Sequence, residues 1–242
     1  VSNYREQNPL IEFFLSILTL IIQDDTQYFG ISVNYSGQII PAITLAALIK
    51  KAFSRVKIIF GGSLFPAYAN KISALNIFAE YSDALIIYAG EYPWNNIIEY
   101  DTLDYIPGCM RSNGHSFIHN NLPLPQIKRA LPDFSDYSLQ RYLVPHNILP
   151  YAMSIGCYWG KCSFCGYQSY KDICVKRYAQ NDIDLGNYVF DDLYRLYKTY
   201  GVENFYFVDE AMTAWIGKII AKRIYESGLS FHWYSEFRFD SF

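Results

Sequence analysis

Three of the chain's five cysteines fall inside nine residues of the stretch Gly156-Cys157-Tyr158-Trp159-Gly160-Lys161-Cys162-Ser163-Phe164-Cys165-Gly166, spaced C-x4-C-x2-C. A run this tight holds three sulfurs near one point without help from the rest of the fold. Gly156, Gly160 and Gly166 let the backbone bend around that point. Three thiolates are one too few for a closed tetrahedral site. They suit a 4Fe–4S cluster that keeps one iron open to another ligand. Structural zinc is the alternative. Cys174 lies nine residues beyond Cys165 and completes a set of four thiolates, but the knuckles are not the usual paired C-x2-C. An odd cysteine count and ample length argue against a disulfide framework. Cys109 and Cys174 read as ordinary buried or partly buried thiols.

Gly-Cys-Tyr-Trp-Gly followed by Cys-Ser-Phe-Cys-Gly resembles the cluster loop of the radical S-adenosylmethionine (SAM) enzymes. The commonest family spacing is C-x3-C-x2-C, and one extra residue widens the first gap here. The wording is similar to members that carry a cobalamin-binding domain before the barrel, and to some that modify ribosomally made peptides. The resemblance implies that Cys157, Cys162 and Cys165 bind three irons, that SAM chelates the fourth, and that Phe164 lies by the adenine. It implies reductive cleavage of SAM to methionine and a 5′-deoxyadenosyl radical, which takes hydrogen from an unreactive carbon. Methyl transfer through cobalamin and other radical outcomes both stay open. So do the alternatives of a non-catalytic zinc or cofactor-binding module and an inactive fragment. The implied partners are a small-molecule or peptide substrate and an electron donor such as flavodoxin or ferredoxin.

Composition bounds the scaffold that must position this loop. The chain has 242 residues, 51% of them hydrophobic, enough for one large domain or two small ones. A net charge of −3 leaves no general nucleic-acid footprint. Five cysteines without a signal peptide predict a reducing, cytoplasmic setting. The apolar run 10–22 is too short to span a bilayer and contains Glu12, so it reads as a buried helix and no membrane role is expected.

The fold class expected is α/β, a parallel Rossmann-like sheet domain followed by a partial (β/α) barrel. The domains are 1–105, Rossmann-like and of cobalamin-binding type; 106–149, a hairpin and Pro-containing linker; and 150–242, the first half of a radical SAM barrel. In the first, strands at 28–33, 56–60 and 84–88 alternate with helices opening at Gly37 and spanning 67–79, with a short helix at 93–100. A doubly wound sheet binds ligands beyond the carboxyl ends of its strands. Those ends are Asn34-Tyr35-Ser36, Gly61-Gly62-Ser63 and Gly90-Glu91, where tight turns alone also explain the glycines. Together, upstream of the cysteine loop, they resemble the family's cobalamin domain, which makes Ser36, Gly61, Gly62 and Gly90 candidate cofactor residues. The Asp-x-His-x-x-Gly ligand motif is absent.

In the junction, Asn113-Gly114 predicts a hairpin across 110–116, and Pro123, Pro125 and Pro132 stiffen a linker. His115, His119 and His146 read as surface residues. From Pro150 the pattern is that of a barrel with chemistry at strand ends. A strand over 151–155 delivers the cysteines. A helix stripe Val189, Leu193, Leu196, Tyr197 and Tyr200 is capped by Gly201. A strand over 204–208 precedes a helix with N-cap Thr213 and face Ile216, Ile219, Ile220 and Ile224, ending at Gly228. A third strand covers 231–236. Asp209 and Glu210 are candidates for the SAM ammonium, with a solvated ion pair as the plain alternative. Glu236 and Arg238 are weaker candidates for the ribose and carboxylate of SAM, and for them the plain alternative is favoured. A family barrel has six strand–helix units and about three fit here, so a fragment of a longer protein is expected, lacking its first strand before Val1.

Overall fold

The computed structural model describes residues 8–68, 71–87, 89–120, 122, 130–154, 157–165 and 182–238. The chain forms two compact units, Val1–Pro125 and Gln126–Phe242. Among the described residues, no helix is long and apolar enough to cross a membrane.

In the first unit the elements are α1 (Leu10–Ile21), β1 (Tyr28–Ser32), α2 (Ile39–Ala52), β2 (Lys57–Gly61), α3 (Asn76–Ala79), β3 (Ala84–Ile86), α4 (Glu91–Tyr100), β4 (Cys109–Ser112) and β5 (Phe117–Ile118). The sheet order is β1-β2-β3-β4-β5. β1, β2 and β3 are parallel, while β4 and β5 join antiparallel. Parallel strands buried on both faces need apolar residues at successive positions, and Ile58, Ile59 and Phe60 are all buried. Both crossovers step the same way, so right-handed connections put α2 and α3 on one face. There Ile58, Phe60 and Leu85 pack with Ala46, Ile49 and Phe78. Ile59, Ala84 and Ile86 point the other way, onto Ile97 of α4. The described strands therefore run in order without the reversal that opens a switch-point crevice.

Several expectations shift here. The first helix forms, but only Ile11 and Leu18 are buried. Phe13 and Leu20 are 57% and 72% exposed, so the run 10–22 is a half-exposed helix rather than a buried one. α2 begins at Ile39, because Ser36–Gln38 form a tighter turn ahead of it. Its predicted stripe holds, with Ala42, Ile43, Ala46 and Ile49 buried. The helix expected over 67–79 is instead two short tight turns, Phe65–Tyr68 and Ile72–Leu75, before the single turn of α3. The Asn113-Gly114 hairpin is present with a four-residue loop. Asn113 Oδ1 accepts from the backbone N–H groups of His115 and Ser116 at 2.9 and 2.8 Å, which favours the longer turn. The hairpin extends the first sheet. Pro123 and Pro125 lie outside the described residues.

The second unit contains β6 (Ile148–Tyr151), α5 (Asp182–Tyr200), β7 (Asn204–Phe207), α6 (Ala214–Ser227) and β8 (His232–Tyr234). The three strands are parallel in the order β6-β7-β8. This is a mixed α/β unit, and no closed barrel is present among the described residues. The strand expected over 151–155 ends at Tyr151, and Ile155 lies outside the described residues. α5 and α6 cover one face, where Leu149, Tyr151, Phe205 and Phe207 are buried with Val189, Leu193 and Ile220. On the other face Ile148, Pro150, Tyr206, His232 and Tyr234 are exposed. A Cβ on Gly186 of α5 would lie 2.6 Å from Ile219 Cγ2, so this glycine sets how closely α5 and α6 approach. The caps form as expected. Thr213 Oγ1 accepts from Ile216 N at 3.3 Å, and Gly201 and Gly228 close their helices with φ of +67° and +69°.

Candidate functional site

The cysteine loop leaves the carboxyl end of β6, and its neighbours are the carboxyl ends of β7 and β8 because all three strands are parallel. Cys157, Cys162 and Cys165 form no disulfide among the described residues, and each is partly exposed. The backbone N–H of Cys165 donates to the carbonyl of Cys162 at 3.2 Å, folding C-x2-C into one turn. Gly160 bends the longer gap with φ +54°. Among the described residues no three His, Cys, Asp or Glu side chains already form a group that would hold a metal ion. In donor chemistry the loop fits a three-thiolate group, since it brings three partly exposed cysteines into one short loop whose only charged side chain is Lys161. Cys174 lies outside the described residues. Phe164 is 91% exposed and presents a bare aromatic face beside Cys165.

Asp209, predicted as a ligand for an ammonium, is 5% exposed. Its Oδ2 accepts from the backbone N–H of Met153 at 3.0 Å, and its Oδ1 accepts from Ser154 N and Ser154 Oγ at 2.7 Å each. β7 thus grips the residues where the chain leaves β6 for the cysteine loop. Burial pushes the Asp209 carboxyl above its ordinary range, outweighing the donors that pull it down. Glu210, next in sequence, is exposed and is the acid that faces solvent at this strand end. Glu236 is also exposed, and its carbonyl accepts from Met212 N at 2.8 Å. Arg238 is half-buried with its guanidinium carbon 3.8 Å from the centre of the Trp159 ring.

Two contacts escaped the sequence reading. Arg238, favoured there as a solvated ion-pair residue, is half-buried over Trp159, a contact that spacing does not reveal. Asp192 is buried on α5 and accepts from Tyr151 Oη at 2.8 Å. A polar residue between Val189 and Leu193 on an apolar stripe was the available signal for it.

The first unit's candidates gather at one edge, because β1–β3 are parallel. Asn34 Oδ1 accepts from Ser63 N at 3.0 Å, and Gln38 Oε1 accepts from Asn34 N at 2.7 Å. Val33 N donates to Gly61 O at 2.7 Å. Gly62 has φ +116°, and a Cβ there would sit 2.5 Å from Val33 O. Ser36 is exposed. Gly90 caps α4 at φ −82°, and among the described residues nothing lies within 4 Å of a Cβ built on it. The histidines expected at the surface, His115, His119 and His146, are exposed. Cys109 is buried, and burial with the nearby Asp104 charge pushes its thiol up to about 12. Cavities of about 390 and 270 Å³ in the second unit are lined by Asn147 and other residues around the start of β6, the strand's opposite end from the cysteine loop. No family model matches the chain, and no curated protein matches it.

Proposed function

We propose that this chain is part of a radical SAM enzyme, with the second unit an arc of its (β/α) barrel and Cys157, Cys162 and Cys165 the ligands of a 4Fe–4S cluster. One observation carries the reading: three partly exposed cysteines share a nine-residue loop at the carboxyl end of a parallel strand, the end where such scaffolds place chemistry. When bound, the cluster supplies the electron that cleaves the carbon–sulfur bond of SAM. The chain's own residues bind and orient. Asp209 fixes the start of the loop through Met153 and Ser154. Phe164 offers its exposed ring to the adenine, and Glu210 offers a solvent-facing carboxylate to the ammonium. Ser36, Gly61, Gly62 and Gly90 are the proposed cobalamin edge of a Rossmann-like first unit. Gly90 fits that role best, since no described neighbour and no backbone angle there requires glycine. The substrate is a small molecule or peptide, the electron donor a flavodoxin or ferredoxin, and the compartment the cytoplasm.

Anaerobic reconstitution with iron and sulfide tests the reading. The expected result is about four irons and four sulfides per chain with the brown absorption of a cluster. Replacing Cys157, Cys162 or Cys165 by Ala empties the site, and Cys174→Ala does not. Stoichiometric zinc that depends on Cys174 overturns the proposal.

A further inference from the structure

We infer that Arg238, stacked on Trp159, is a positioning residue that holds the cysteine loop closed and supplies positive charge beside the thiolates. Trp159 lies in the long gap between Cys157 and Cys162. Its ring carries two cations, Arg238 with its guanidinium carbon at 3.8 Å and Lys161 Nζ at 4.6 Å from the centroid. The shorter distance is that of a guanidinium in contact with an aromatic ring.

The root of Arg238 is fixed. Phe237, just before it, bridges to Met212, and the Glu236 carbonyl accepts from Met212 N at 2.8 Å. The Phe237 ring also packs on Gly217, where a Cβ would come within 3.0 Å of it. A rigid segment after β8 thus reaches the loop that leaves β6, while Asp209 of the intervening strand end holds the loop's start. The loop is anchored at two points, from two strands.

The charge has a purpose under the proposed function, on which this inference rests. Three thiolates bring three negative charges to a loop whose only charged side chain is Lys161. Arg238 and Lys161 offset them, and added positive charge raises the potential at which such a centre accepts an electron.

The test uses the full chain with Arg238→Met, Arg238→Lys, Trp159→Leu and Trp159→Phe. The first readout needs no cluster. Alkylation of each cysteine in the reduced apo protein, at a pH above the ordinary thiol range so that the Arg238 charge does not set the thiolate fraction, is followed by peptide mass mapping, with buried Cys109 as the unreactive internal reference. Arg238→Met and Trp159→Leu should speed alkylation of Cys157 and Cys162 about threefold to tenfold at unchanged helix content, and Trp159→Phe should do so less. The second readout is the midpoint potential of the reconstituted protein. Arg238→Met should lower it, and Arg238→Lys should restore it while leaving the thiols reactive, because an ammonium keeps the charge without the flat stack. Unchanged alkylation in both Arg238→Met and Trp159→Leu overturns the anchoring role, and an unchanged potential in Arg238→Met overturns the charge role. If the wild type takes up no cluster, the proposed function fails, and the alkylation rates still decide the anchor.

Discussion

The carboxyl edges of the two sheets carry the chain's two most motif-like regions, and they differ in how far their groups satisfy one another. At the first edge Asn34 binds Ser63, Gln38 binds Asn34, and Gly62 lies against the backbone of Val33. Two of the three strand-end loops are closed on themselves, and Gly62 is explained by backbone packing. At the second edge the satisfied group is Asp209, which sits behind the loop, while three thiols and Phe164 remain open to solvent. A glycine-rich turn can be complete within its own fold. A loop that holds three partly exposed cysteines carries more chemistry than a turn needs, and that difference is why the cysteine loop carries the functional reading.

The contrast breaks first at Gly62. Alanine there must hold φ near +116° and place its Cβ against Val33 O, N and C within 2.8 Å. Backbone cannot yield as a flexible side chain would. We expect Gly62→Ala to destabilise the first unit by on the order of 3 kcal/mol. The check is denaturation followed at Trp94, the only tryptophan of that unit, while signals from Trp159, Trp215 and Trp233 in the other unit hold. A loss below about 0.5 kcal/mol, the range of ordinary surface changes, would mean that the Gly61-Gly62 turn is not built as described.

Asp209 sharpens the second side. Asn at this position keeps one acceptor oxygen but turns an N–H₂ group toward a donor, so one buried hydrogen bond becomes a repulsion. Asp209→Asn should cost about 2 kcal/mol in the second unit. It should also speed alkylation of the loop cysteines, because Met153 and Ser154 lose their grip. The pH dependence follows from burial, which raises the Asp209 pKa on folding. A group raised on folding gives its full stabilisation below its unfolded pKa and loses it as pH rises through the folded one. The advantage of the wild type over Asp209→Asn should therefore be largest in acid and shrink as pH rises. An advantage that grows with pH would show that the three donors, not burial, dominate this carboxylate.

Much of this was legible in the sequence, for a physical reason. Apolar periodicity reports burial directly, so the α2 stripe, the alternation of strands and helices and the Thr213, Gly201 and Gly228 caps followed from local rules. What failed depends on neighbours distant in sequence. The run 10–22 is apolar nearly all round, yet only one face of α1 finds a partner in α2. The segment 65–79 breaks into tight turns, with Phe65 and Phe78 packed edge-on at 5.1 Å between ring centres. Asp209 stood out by its place at a strand end, but spacing could not show that its oxygens accept from Met153 and Ser154. The Arg238–Trp159 stack joins residues 79 positions apart in sequence and left no local trace.

Gly90 is the smallest effect and the finest probe of the comparison. Its φ of −82° suits any residue, and a Cβ there meets nothing within 4 Å among the described residues. Folding alone gives no reason for glycine, in contrast to Gly62 on the same edge. Gly90→Ala should therefore leave the first unit unchanged or stabilise it by about 0.4–1 kcal/mol, mainly by narrowing the unfolded ensemble. The added methyl still fills space at the start of α4, where the proposed cobalamin edge needs close approach. Denaturation at Trp94 reads the first effect, and retention of added corrinoid through anaerobic gel filtration reads the second. Gly90→Ala that is silent in stability but loses corrinoid retained by the wild type would mark this glycine as kept for a ligand. A clear loss of stability would instead place Gly90 with Gly62, as a residue the fold itself requires, and the first edge would then lose its best remaining claim to a cofactor.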